Sequence, residues 1–134
     1  MEFPAVPDYR LFLNLKKAAI ESGYRFNTGV SVTKDSFYTE ARPETKAVYD
    51  ELKFKWEAYE KAGATNTCME CAPLFLFGAA MNVRTAAVLI SATNFNDYGN
   101  DKKDYPLNIE ERAIDVAIEG IRKMILEDRK SGRI

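Results

Sequence analysis

The chain of 134 residues carries 19 lysines and arginines against 20 aspartates and glutamates, with no histidine, for a formal net charge of −1. This near-neutral balance leaves no electrostatic footprint for nucleic acid. The lack of histidine excludes every histidine-dependent triad, general base and metal site built from this chain alone. A site that needs a histidine must take it from another chain. The length suits one domain with a buried core. A content of 46% hydrophobic and 29% charged residues is that of an ordinary soluble globular protein. Two cysteines, Cys68 and Cys71, are too few for a disulfide scaffold. The start, Met1-Glu2-Phe3-Pro4, lacks the basic region and long apolar run of a signal peptide. The most apolar stretch, Ala72 to Met81, is about half of the roughly 20 residues that a membrane helix needs. The expectation is a soluble cytoplasmic protein without a membrane partner.

In chain order, Pro7-Asp8 opens a helix in which Leu11, Leu15, Ala18 and Ala19 recur at helical spacing while Lys16 and Lys17 face away. Gly23 is placed to end it. Tyr24, Phe26, Val30 and Val32, alternating in part with small polar residues, predict a strand. A polar segment from Thr33 to Arg42 contains the pair Phe37-Tyr38. Pro43 then sits where first-turn prolines sit. Ala47, Val48, Leu52, Trp56 and Tyr59 form the apolar stripe of an amphipathic helix ending at Gly63. Ala64 to Cys68 fits either a strand or a turn.

The run from Glu70 to Met81 is apolar nearly all round and predicts a buried helix, with Pro73 tolerable only in its first turn. Val83 to Ser91, rich in Val, Ile, Leu and Ala, reads as a central strand covered on both faces. A polar loop follows, from Asn96 to Pro106. Asn108 and Glu111 form a capping-box pattern at the start of the last helix. Its buried stripe is Ile109, Ala113, Val116, Ala117, Gly120, Ile121, Met124 and Ile125. Helices alternating with buried strands predict a layered α/β sheet structure over residues 1–134.

Four features carry candidate chemistry, and each has a plainer reading. Cys68-Met69-Glu70-Cys71 is a C-x-x-C at a helix start, where a helix N-terminus favours a thiolate and a redox pair. The plainer reading is two small thiols packed beneath a sheet. A zinc site lacks further ligands. Glu70 either caps backbone N–H groups or accepts hydrogen bonds from a ligand. Phe37-Tyr38 either anchors its own loop or stacks on a flat ligand. Asn94 follows the most strand-like segment, where open parallel sheets bind ligands, but asparagine also favours plain turns.

Together these pieces resemble the nucleoside phosphorylase family, in its uridine phosphorylase-like branch, from about Phe3 to Leu126. Four stretches in order carry the resemblance. They are Glu2-Phe3-Pro4-Ala5-Val6, the run from Thr28 to Tyr38 (TGVSVTKDSFY), Lys55-Trp56-Glu57-Ala58 followed by Gly63, and Cys68-Met69-Glu70-Cys71-Ala72-Pro73-Leu74-Phe75. The second is similar to a strand and base-binding loop, and the fourth to a ribose motif before an apolar helix.

The resemblance implies the carboxy-terminal part of a three-layer αβα fold, with a partial mixed sheet and flanking helices. It implies Glu70 on the ribose hydroxyls, Met69 against the sugar, and Phe37 against base and ribose. Arg42 and Asn94 are its further candidates for the base. It favours the ligand reading of Glu70 and Phe37 over the plainer one. Its reaction is phosphorolysis of a nucleoside, with phosphate as co-substrate and no cofactor or metal.

Some departures from the family pattern are local, and the largest is length. Cys68 replaces a glutamate and Cys71 a small residue. The segment Thr39-Glu40-Ala41-Arg42 has an arginine but no glutamine, and Ser91-Ala92-Thr93-Asn94 has no acid. Proteins of this family are about twice as long, and their phosphate-binding residues have no counterpart here. The expectation is therefore a chain inactive alone, binding phosphate only with the other half supplied. Such a chain associates with a complementing half or with its own copies.

Overall fold

The computed structural model describes residues 3–91 and 107–133. The described elements are α1 (Tyr9–Ser22), β1 (Val30–Thr33), α2 (Tyr49–Lys61), β2 (Ala64–Cys68), α3 (Cys71–Ala80) and α4 (Ile109–Lys130). Short 3-10 turns lie at Phe37–Thr39 and Pro43–Thr45. Four helices and a two-stranded parallel sheet place the chain in the α/β class. The elements divide into two compact units. One gathers α1, α3, residues 83–90 and α4, and the other gathers β1, α2, β2 and their connections.

The first unit is organised by α1 and α4. Asp8 caps α1 by accepting from the Leu11 N–H at 2.7 Å. Gly23 closes the helix in the left-handed region, with φ 70°. The face of α1 that the sequence marks is buried: Leu15, Ala18 and Ala19, joined by Asn14. On α4 the buried line is Val116, Gly120, Met124 and Asp128, four residues apart at each step.

Gly120 is where the two helices approach most tightly. A Cβ there would lie 2.5 Å from Leu15 Cδ2 and 3.0 Å from Leu15 Cα. The core of Ala18, Ala19 and Val116 takes Tyr24 and Val88 against it. Tyr24, expected in the first strand, thus serves this core, and the Arg112 guanidinium lies 5.1 Å from its ring centre. Below the core, Asp128, 2% exposed, is held by Arg10 at 3.0 Å and by Arg84. Asn14 Nδ2 donates to the Arg10 carbonyl and to Glu127.

Several expectations are corrected here. The 83–90 segment forms no strand. It follows a Schellman turn, in which Asn82 (φ 54°) and the Val83 N–H close α3 on Ala79 and Gly78. Its Thr85 carbonyl accepts the Asp8 N–H at 2.7 Å. A strand exists only where a neighbour offers a ladder, and its unit offers helices. Nor is this segment covered on both faces, since Val83 and Leu89 are exposed.

Helix α3 forms where expected, with Pro73 in its first turn, but it is not buried. Only Cys71 and Gly78 are. Leu74, Leu76, Phe77 and Met81 face solvent. Its all-round apolar surface exceeds what one neighbouring face can cover. On α4 the capping box is not made. Asn108 sits at φ −106°, ψ 26°, outside the extended region from which a cap side chain reaches the first-turn N–H groups. Glu110 and Glu111 at the start and Arg129 and Lys130 at the end suit the helix dipole instead. Ile121 and Ile125, expected in the stripe, are exposed.

The second unit is built on the β1–β2 pair, in which Ala64 to Cys68 adopts the strand option. The register pairs Ser31 with Asn66, Val32 with Thr67 and Thr33 with Cys68. β1 is shorter than expected and begins at Val30. Pro43 heads a 3-10 turn rather than α2 itself, and α2 buries only Leu52.

Two measurements check the first unit. Gly120→Ala pushes a methyl into Leu15, a clash on the order of 1–3 kcal/mol that outweighs the ~1 kcal/mol alanine gains over glycine in a helix. Its urea midpoint falls below that of the parent chain. Asp128 is held below its ordinary pKa by Arg84 foremost, and by Arg10 against the opposing effect of burial. A carboxylate with a depressed folded value stabilises the fold above its unfolded value, and that stability is lost as pH falls through the folded value. Urea midpoints therefore drop on acidification below about 3.8, and Asp128→Asn flattens this drop.

Candidate functional site

Because β1 and β2 run parallel, their carboxyl ends share one edge of the sheet. The chain leaving β1 enters Lys34 and the turn bearing Phe37. The chain leaving β2 enters Met69 and Glu70. Ligands of open parallel sheets bind beyond this edge. The strand register thus puts Phe37 at the same sheet edge as Met69 and Glu70, which lie far from it in the sequence.

Ser36 caps the Phe37–Thr39 turn by accepting from the Tyr38 N–H at 3.2 Å. Phe37 and Tyr38 pack edge to face with centroids 5.8 Å apart. Phe37 is 40% exposed. Met69 is equally exposed at 40%. Glu70 is exposed at a bend before α3, and its Oε2 accepts from the Met69 N–H at 2.9 Å. It therefore bonds the turn it belongs to. A carboxylate has about four acceptor positions, which leaves capacity for hydroxyl donors.

Arg42 is exposed and strained in the left-handed region at φ 51°, a conformation that costs non-glycine residues on the order of 1–2 kcal/mol. Its carbonyl accepts from the Thr45 N–H and hydroxyl. Asn94 lies outside the described residues.

Behind these residues lies a charged network that the sequence reading did not single out. Lys34 and Glu40 form an ion pair with side chains only 7% and 8% exposed. Lys34 Nζ also donates to Thr67 Oγ1 at 3.1 Å, and the Thr67 hydroxyl reaches both Glu40 oxygens, at 3.1 and 2.9 Å. The Lys34 N–H donates to the Cys68 carbonyl at 2.9 Å, continuing the ladder beyond β1. The ammonium lies 5.8 Å from the Phe37 ring centre and 5.9 Å from that of Trp56. Burial pushes Lys34 below its ordinary pKa, against the opposing pull of Cys68 and Glu70. The only sequence signal was two opposite charges six positions apart in an aromatic loop, a pattern that surface loops also show.

Both cysteines are buried. Cys68 Sγ accepts from the Ser31 hydroxyl at 3.3 Å and lies 3.4 Å from Thr33 Oγ1. Among the described residues, no group of three or more Cys, Asp or Glu side chains converges as a metal site. No described helix is long and apolar enough to cross a membrane.

Comparisons to known proteins place this α/β chain in a family. The family described as the phosphorylase superfamily matches residues 1–125. A uridine phosphorylase of Treponema pallidum is 38% identical over 128 residues, covering 96% of this chain and 50% of that protein. A uridine phosphorylase of Escherichia coli is 27% identical, covering 93% of this chain and 51% of its own length. A purine nucleoside phosphorylase of Plasmodium falciparum is 34% identical over 89 residues, covering 66% of this chain and 33% of its own. The chain belongs to the phosphorylase superfamily. It spans about half the length of the uridine phosphorylases it matches.

Proposed function

We propose that this chain supplies the nucleoside-binding, carboxy-terminal half of a nucleoside phosphorylase, with uridine favoured over purine nucleosides. The observation that carries the reading is the parallel register, which puts the Phe37 turn and Met69-Glu70 at the same strand edge. In this reading Glu70 accepts from the 2′ and 3′ hydroxyls of the ribose, Met69 packs on the sugar, and Phe37 lies against the base. Arg42 and Asn94 are the candidates for the base edge. The reaction is a pentosyl transfer. A phosphate oxygen bonds to C1′ as the C–N bond breaks, and the bonding pair leaves with the base. Positive charge gathers on the ribose, where the Glu70 carboxylate favours it. Phosphate enters as co-substrate through groups outside this chain.

The same reading assigns a partner to the apolar surface of the first unit. Leu74, Phe77, Met81, Val83 and Leu89, all in one unit, are exposed, and large apolar side chains grouped in water favour an interaction surface. The remaining half of the phosphorylase fold, in the same or a second polypeptide, covers it. Association of this chain with its own copies is the second option, driven by the same burial.

The test uses purified chain with uridine, inosine and phosphate. Alone it binds uridine without turnover. Glu70→Gln weakens binding by about 10–100-fold, the worth of charge-assisted hydrogen bonds at ~1.5–3 kcal/mol. Mixing with the unmatched half of the Treponema pallidum uridine phosphorylase restores phosphorolysis. Turnover by the isolated chain, or full affinity in Glu70→Gln, would sink the assignment.

A further inference from the structure

The second unit contains one feature that neither packing nor ribose recognition explains by itself. A lysine and a carboxylate are taken almost wholly out of water within a loop whose Asp35, Phe37 and Tyr38 lie exposed. Withdrawing two charges from water is costly, and an apolar pair of similar volume often serves stability as well. What the ion pair adds is direction. Its hydrogen bonds are satisfied in one arrangement, in which Lys34 and Glu40 both meet the Thr67 hydroxyl.

The partners lie at telling positions. Lys34 and Glu40 bracket the Phe37–Thr39 turn. Thr67 lies two residues before Met69 and three before Glu70 on the adjacent strand. The Lys34 N–H to Cys68 bond fixes the near end of the loop, and Trp56 Nε1, 3.5 Å from the Thr39 carbonyl, braces the far end. Lys34 Nζ also lies over the Phe37 ring, 5.8 Å from its centre.

We propose that Lys34, through Glu40 and Thr67, is a positioning residue that locks the aromatic turn to the end of β2. It sets the spacing between Phe37 and the Met69-Glu70 turn. This inference rests on the nucleoside reading above and deepens it. A nucleoside is a base and a sugar at fixed separation, so it gains from two groups only when their spacing is fixed beforehand. Free base and free ribose each meet one group and are indifferent to that spacing. Loss of the tether therefore weakens whole nucleosides selectively. A lysine that merely stabilised the fold would weaken all three ligands alike, or none.

The experiment measures uridine, uracil and ribose binding by NMR titration, with amide hydrogen exchange on the same samples. The variants are Lys34→Met and the double change Lys34→Met/Glu40→Met. The double variant removes both charges of the pair, so it avoids the lone buried carboxylate that Lys34→Met leaves. Uridine affinity is expected to fall at least about tenfold in either variant. Uracil and ribose affinities stay within about twofold. Exchange at Glu40 and Ala41 speeds up, while exchange at Leu15 and Val116 in the other unit does not change. Lys34→Arg, which keeps the charge, recovers part of the uridine affinity. Unchanged uridine affinity in the double variant overturns the proposal, as does an equal loss for all three ligands. If the parent chain binds no uridine, the nucleoside reading itself fails. Faster loop exchange in the variants would then mark the tether as structural only.

Discussion

The loop that follows β1 depends on two opposite charges held out of water. Lys34 and Glu40 are buried together in a loop that otherwise presents aromatic rings to solvent. Neither charge is tolerable there without the other, because an isolated buried charge costs several kcal/mol, on the order of 3–5 when one partner of a pair is removed. The pair is bound into the sheet through Thr67, and the sheet is fixed by its parallel register. Strand, tether and turn thus form one mechanical chain. Phe37 is placed by Lys34, Lys34 by Thr67, and Thr67 by its pairing with Val32.

The first unit follows a different principle. There, polar clamping and close approach replace a large core. Gly120 lets α4 reach the backbone of α1, and two arginines hold Asp128 beside it. The buried apolar cluster itself is small, Ala18, Ala19 and Val116 with Tyr24 and Val88 against it. Much of the remaining apolar surface, on α3 and along residues 83–90, meets water. An apolar helix left in water at this position has the character of a contact surface.

Local signals in the sequence were dependable where local physics decides. Asp8 and Gly23 mark both ends of α1 because a cap bond and a left-handed turn involve only neighbouring residues. The stripe of α4 was readable in its centre, at Val116, Gly120 and Met124, because helical periodicity fixes which residues share a face. It failed at Ile121 and Ile125, where the stripe is wider than the single helix that covers it. The capping box failed because Asn108 has the right side chain on the wrong backbone angles. The strand expected at Val83 to Ser91 failed because composition records a preference for burial and extension, while pairing needs a neighbour. In the site, Phe37, Met69 and Glu70 could be named from motif resemblance. Lys34, Glu40 and Thr67 could not, because opposite charges in a loop look alike whether they face water or each other.

By itself the sequence determined the α/β class, the helix positions and the family resemblance. Each of these follows from short-range periodicity, capping chemistry or a contiguous motif. Only the tertiary structure decided which apolar faces are covered, which charges are paired, and that the Phe37 turn shares a sheet edge with Glu70. Burial and pairing are properties of neighbours in space, and the register of two parallel strands more than thirty residues apart is written in no single stretch of the chain.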